Sequence, residues 1–286
     1  MPHDLLRALA IFVAGLAAGT INTVVGSGTL ITFPTLLAFG YPPVLANVSN
    51  NVGLVPGVAS GVHGYRSELG GQRRRLIRLG SASVCGGLVG AILLLTLPQS
   101  AFKDIVPALI GLAVVMVIIQ PRLAKWVAER QRARAATATP DGAGAGAEGT
   151  SATAAGGGAV AVAAPPAAEA IGGPVLWVLV FLAGIYGGYF GAAQGVLLIG
   201  MLGIALNDSL QRINAAKNVL AGLVNGLAAV VFILATHIDW GVAGLIAAGS
   251  IIGGQVGARI GRRLPPWGLR VLIVCVGTAA LIKLLT

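Results

Sequence analysis

Apolar residues run through this chain in long blocks separated by short polar, mostly basic connections. A helix needs about 20 apolar residues to cross roughly 30 Å of hydrocarbon. The blocks that satisfy or approach this length are Leu5 to Val25, Val44 to Gly64, Leu79 to Leu97 and Phe102 to Gln120, then Val175 to Ala193, Ile213 to Thr236, Gly241 to Ala258 and Val271 to Leu285. Two further runs, Thr29 to Gly40 and Val196 to Leu206, are only about a dozen residues each, enough for roughly 18 Å of helix. They predict half-helices that enter the membrane and turn back.

The pattern predicts three regions along the chain. Residues 1–121 form a first membrane repeat and residues 174–286 a second. Between them, residues 122–173 turn polar and then low in complexity, with the tract from Thr137 to Ala168 built mostly of Ala, Gly, Thr and Pro, which predicts a flexible cytoplasmic linker.

The two membrane regions repeat one another at a nearly constant separation. Ala14, Gly15 and Gly19 match Ala183, Gly184 and Gly188; Ala46, Gly53, Leu54 and Gly57 match Ala215, Gly222, Leu223 and Gly226. After a slip of two positions the block G-G-L-V-G-A at Gly86 to Ala91 matches G-G-Q-V-G-A at Gly253 to Ala258. Any one block of glycines is weak evidence; their shared order makes duplication the reading.

Composition reinforces the membrane assignment, since 56% of the residues are hydrophobic and 10% charged, against about 25% charged in a soluble domain. The net charge of +10 does not point to nucleic acid, because the basic residues cluster between apolar blocks rather than along a polar face. All but Arg7, Lys103 and Lys283 of the 19 Lys and Arg residues fall in four connections, Arg66 to Arg78, Arg122 to Arg134, Arg212 to Lys217 and Arg259 to Arg270. Basic connections stay on the cytoplasmic side. All four can do so only if each half-helix returns toward the side where the preceding span began, so that the first repeat starts outside and the second inside. The fold class expected is therefore an all-α polytopic membrane protein of two inverted-topology repeats, with about eight transmembrane helices and two re-entrant half-helices. The first 20 or so residues imitate a secretory signal, but the recurrence of the same segment in the second half predicts a retained span.

The half-helix openings are the candidate chemistry. The first reads V-G-S-G-T-L from Val25 to Leu30, and the second A-A-Q-G-V-L from Ala192 to Leu197. A helix that begins inside the membrane aims unpaired N–H groups and the positive end of its dipole at whatever fills the gap. Gly26, Gly28 and Gly195 would let an anion approach the backbone, and Ser27, Thr29 and Gln194 would donate from side chains. The bland alternative is close helix contact through small residues. Uncharged polar residues surround the openings: Asn22, Asn47, Ser49, Asn50 and Asn51 in the first half, Asn214, Asn218 and Asn225 in the second. At bilayer depth they are either interhelical hydrogen-bonding groups or site residues. Lys217 reads as a positive-inside anchor at the cytoplasmic mouth, where it would also attract an anion.

Other chemistries find little support. None of the nine acidic residues sits in the middle of a predicted span, which disfavours a proton pump built on a midmembrane carboxylate. No G-x-x-x-x-G-K-[ST] motif is present, and His63 and His237 fall at span ends without a nucleophile or carboxylate set beside them. Cys85 and Cys275 lie in apolar runs with no metal-ligand spacing and are expected to be small buried hydrophobes. Neither a cofactor nor an enzymatic activity is expected.

The segments Ala14 to Pro34 (A-G-L-A-A-G-T-I-N-T-V-V-G-S-G-T-L-I-T-F-P) and Ala183 to Leu198 (A-G-I-Y-G-G-Y-F-G-A-A-Q-G-V-L-L), with the paired G-G-x-V-G-A blocks, resemble the sulfite exporter TauE/SafE family of membrane permeases. The likeness covers nearly the whole chain outside the linker; Ala193 and Gln194 depart from a more glycine-rich second opening. It implies a secondary transporter in a bacterial plasma membrane that moves sulfite, sulfonates or related sulfur-containing or organic anions, often as export. The partners expected are a small anionic substrate and the lipid bilayer, and the small-residue faces also suit a homo-oligomer. The rival reading is a non-transporting membrane scaffold whose glycine faces serve packing alone.

Overall fold

The computed structural model describes residues 2–137, 173–260 and 266–285. These form helices α1 (Pro2–Val24), α2 (Thr29–Ala38), α3 (Pro43–Gly64), α4 (Arg73–Thr96), α5 (Gln99–Thr137), α6 (Pro174–Tyr189), α7 (Gln194–Ala205), α8 (Leu210–Ala235), α9 (Trp240–Ile260) and α10 (Pro266–Leu285), with a 3-10 turn at Arg66–Leu69. Among the described residues no strand occurs. Among the described residues, segments in five helices are long and apolar enough to cross a membrane, namely Asp4–Val24, Arg73–Thr96, Gln99–Arg122, Leu210–Ala235 and Trp240–Arg259. The short helices α2 and α7 fall where half-helices are expected. Helix α5 continues past Gln120 to Thr137, into the stretch read as linker; residues 138–172 lie outside the described residues.

Local sequence sets the ends. Pro43 and Pro174 occupy first-turn positions, where the missing N–H has no intrahelical partner to lose. The Ser209 hydroxyl caps α8 by accepting from the Arg212 N–H. Helices α1 and α6 end on the same device. The Gly26 N–H reaches back to the Ile21 carbonyl at 3.0 Å and the Gly191 N–H to the Tyr186 carbonyl at 2.9 Å. Both glycines have positive φ, 92° and 77°, a conformation that a side chain disfavours. The structural counterpart of Gly26 is thus Gly191, two positions before the Ala193 that stands opposite it when the two openings are matched.

The packing pairs helices across the halves. Helix α1 lies most extensively against α9, and α6 against α4; α3 also packs on α9 and α8 on α4, α10 on α2 and α5 on α7. If α1 to α5 are matched in order with α6 to α10, every one of these pairings has its counterpart. The G-G-x-V-G-A blocks are the seams. A methyl group at Gly253 would fall on the Leu16 carbonyl, and one at Gly86 or Gly90 on the carbonyls of Phe181 or Ile185. Backbones can approach this closely only through glycine, which is how membrane helices gain contact without a hydrophobic driving force between them.

Polarity is arranged inside out. Asn47, Asn50, Gln194, Lys217, Asn218 and Ser250 are buried, whereas Leu5, Leu9, Val13, Val115, Ile119, Val230 and Leu234 are exposed on helix flanks. The two cysteines correct the expectation of burial: both are exposed and free. Cys85 shares a face of α4 with exposed Leu88, Val89 and Ile92, and Cys275 shares a face of α10 with exposed Val271 and Ile282. A thiol on a lipid-facing flank is exposed without being wet. In intact membranes both cysteines should resist maleimides, permeant or charged, because the reacting thiolate needs water, and should label once the protein is denatured; labelling of intact membranes by the charged reagent would place those flanks in water.

At one end of the bundle an ion cluster joins the halves. The Asp208 carboxylate accepts from Arg75 at 2.7 Å and from Arg212 at 2.6 Å. Arg212 also donates to the Gly70 carbonyl at 2.9 Å, and the Gln72 amide donates to the Arg212 carbonyl at 3.2 Å. The connection between α3 and α4 is thereby tied to the start of α8.

Candidate functional site

The breaks after α1 and α6 leave the last carbonyls of each helix without intrahelical partners. Side chains from the other half supply them. The Asn214 and Asn218 amides donate to the Thr23 carbonyl at 3.2 and 3.3 Å. In the mirror arrangement, the Asn47 amide donates to the Tyr189 carbonyl at 3.0 Å. These asparagines are therefore in part helix-end caps, the interhelical role that sequence left open. The Ser49 hydroxyl accepts from the Asp239 N–H at 3.0 Å and so braces the start of α9 instead of the openings.

Lys217 overturns the anchor reading. It is 1% exposed, and its ammonium donates to the carbonyls of Asn22 at 2.9 Å and Thr23 at 3.3 Å. It lies about 10 Å along α8 from the helix start by helical rise, at the negative end of the α1 dipole. Two acceptors occupy two of its three N–H groups. No carboxylate pairs with it among the described residues. An anchor would have reached for the interface; this side chain turns inward because the broken end of α1 offers it carbonyls.

The two openings touch directly. The Gly195 N–H donates to the Gly26 carbonyl at 3.2 Å, and a methyl group at either glycine would collide with the Cα of the other. Val196 N–H and Gln194 N–H are taken by the carbonyls of Ala193 and Gly191. Gly26 and Gly195 therefore serve close contact in this structure, and α7 does not present a free first turn. The first half-helix differs. The backbone N–H groups of Ser27, Gly28 and Thr29 make no hydrogen bond to the described residues, and Gly28, packed on the Ala18 carbonyl and the Asn22 Cβ, admits no side chain.

Several buried side-chain atoms have no hydrogen-bond partner among the described residues, including the Ser27 hydroxyl, the Gln194 Nε2, and the Oδ1 atoms of Asn51 and Asn214. Leaving a buried polar atom unpaired costs about 1–3 kcal/mol. Asn50 is spent on the half-helix: it accepts from the Thr32 hydroxyl and faces Thr29 Oγ1 at 3.5 Å. Asn225 stands two turns beyond Asn218, about 10 Å by helical rise, and no described hydrogen bond brings it to the openings. Sequence reasoning missed Thr32 and Tyr189, whose buried hydroxyl has no partner among the described residues; a tyrosine in the run G-G-Y-F-G was the available signal.

Membrane-length apolar helices with exposed apolar flanks and a buried polar cluster describe a multi-pass membrane protein, and its family and relatives make it a transporter. The chain belongs to the sulfite exporter TauE/SafE family, which matches residues 11–284. It is similar, at 24% identity over all of this chain and 91% of the relative, to the probable membrane transporter protein YfcA of Escherichia coli K12. It is also 25% identical to a probable membrane transporter protein of Haemophilus influenzae, covering 90% of this chain and 85% of that one. A third relative, the probable membrane transporter protein ORF9 of a Sinorhizobium species, is 24% identical over 96% and 91% of the two chains. No solved structure matches the chain.

Proposed function

We propose that this protein is a secondary permease of a bacterial plasma membrane that exports a small anion, of the class of sulfite, sulfonates or related organic anions. The observation that carries the reading is Lys217, a buried ammonium with no carboxylate partner beside a half-helix turn whose amides are free. An isolated buried ammonium costs several kcal/mol; an anion supplied from outside the protein offsets that cost. Ser27 and Gln194 add donors, and the Oδ1 atoms of Asn51 and Asn214 suit a protonated oxygen of the anion or its water.

The mirrored helix pairings support two inverted repeats, which rock about the contact of Gly26 with Gly195. About eight spans and two half-helices fit that plan, with the basic connections and the segment between the halves on the cytoplasmic side. Without a carboxylate in the membrane interior, outward flow follows the membrane potential, negative inside, or the anion carries its own proton.

Proteoliposomes loaded with radiolabelled sulfite, thiosulfate or small sulfonates, held at either sign of membrane potential, test the reading. Flux should respond to the potential and fall about tenfold in Ser27→Ala and in Gln194→Ala, since a hydrogen bond to a charged group is worth about 1.5–3 kcal/mol. Absence of flux above empty liposomes for every anion would favour the scaffold.

A further inference from the structure

The flank where the two halves meet carries a second feature that the transport reading does not use. A groove of about 460 Å³ runs between α4 and α8, with Gly80, Val219 and Leu223 among its apolar walls and Arg73 and Gly71 at its mouth. The absence of a side chain at Gly80 opens it, since a methyl group there would meet Leu223 Cδ1 at 3.1 Å. Ile77, 64% exposed, and Leu223, 39% exposed, continue it onto the outer surface of two helices that cross the membrane.

We infer that this groove holds one anionic phospholipid, an acyl chain lying between α4 and α8 and the phosphate on Arg73. The apolar walls exclude a soluble anion, and a groove open to the hydrocarbon fills from the bilayer. The charge is complementary and uncommitted. Arg75 and Arg212 beside it are held by Asp208, whereas Arg73 is exposed and has neither an ion pair nor a hydrogen bond among the described residues. From Arg73 to Gly80 the helix rises about 10 Å, so the guanidinium and the groove floor are spaced as a headgroup and its upper acyl chain are. Because the walls belong to both halves, the bound lipid bridges the seam that rocking must alter.

Native mass spectrometry of the purified full chain, titrated with dioleoylphosphatidylglycerol or dioleoylphosphatidylcholine, tests the site. The intact protein should retain one phosphatidylglycerol in preference to phosphatidylcholine. Loss of one basic charge near the bilayer surface should weaken that retention about fivefold in Arg73→Gln. Arg74→Gln, at an exposed neighbour outside the groove, should retain the lipid as the intact protein does. Equal retention of both lipids, an unaltered Arg73→Gln, or equal losses in both variants would overturn the site, the last by reducing it to general surface attraction.

Discussion

Lys217→Met should cut anion flux on the order of a hundredfold while leaving the purified protein about as stable as before. The two effects differ because the ammonium is a cost to the empty fold and a gain to the loaded one. Buried at 1% exposure with carbonyl partners only, it gives up the hydration that a charge needs. Methionine has similar length and no charge to desolvate, and Thr23 keeps the amides of Asn214 and Asn218; the Asn22 carbonyl loses the Lys217 donor, a cost of about 1–3 kcal/mol that the relieved desolvation offsets. Removing one partner of a buried, hydrogen-bonded charge pair costs 2–5 kcal/mol or more, so flux should fall on the order of a hundredfold. Transport assays paired with melting of the same preparations decide it. Flux retained in the variant would remove Lys217 from the site, and a melting temperature that collapses with flux would make its role structural.

The second large effect is steric. Gly26→Ala should lower stability by about 3 kcal/mol, combining a disfavoured backbone conformation with overpacking. The residue has φ of 92°, and its added methyl would strike the Cα of Gly195. Gly195→Ala meets the same neighbour from an ordinary helical conformation, so it should cost less. Melting of the two variants in detergent, side by side, measures the difference. Equal losses would mean that contact alone matters, and unaffected melting in both would mean that the openings do not touch in the membrane.

Much of the fold was legible because the membrane imposes lengths. Blocks of apolar residues could be counted against hydrocarbon thickness, and the two short runs before Gly40 and Leu206 stood out as too short to cross. Register was less legible. Small residues recur one turn apart in α1 and α6, so sliding Gly19 from Gly184 to Gly188 keeps a glycine opposite a glycine; only the shared helix ends at Gly26 and Gly191 fix the match. The cysteines were misread by a rule for water-soluble interiors, which reverses where the exterior is lipid.

The turn from Ser27 to Thr29 was legible from its glycines, but the burial of Lys217 was not. Its local sequence, R-I-N-A-A-K-N, is that of a cytoplasmic helix start. What draws the side chain inward is the broken end of α1, far away in sequence and invisible without the packing. The same applies to Gly195, whose freedom to bind an anion depended on an N–H that the Gly26 carbonyl has taken.

The pairing of α1 with α9 and of α6 with α4 also governs how such a chain is made. On the ribosome α1 emerges with its glycine face bare and the Thr23 carbonyl unfilled, and the helices that complete it are among the last to be synthesised. The first half is therefore inserted before it is folded, sheltered by the insertion machinery or by lipid while α8 and α9 are still being translated. A chain stopped after α5 lacks the main native partner of its first helix, which then has only α2 and α3 to pack on, whereas the two halves supplied as separate polypeptides have every reason to find each other.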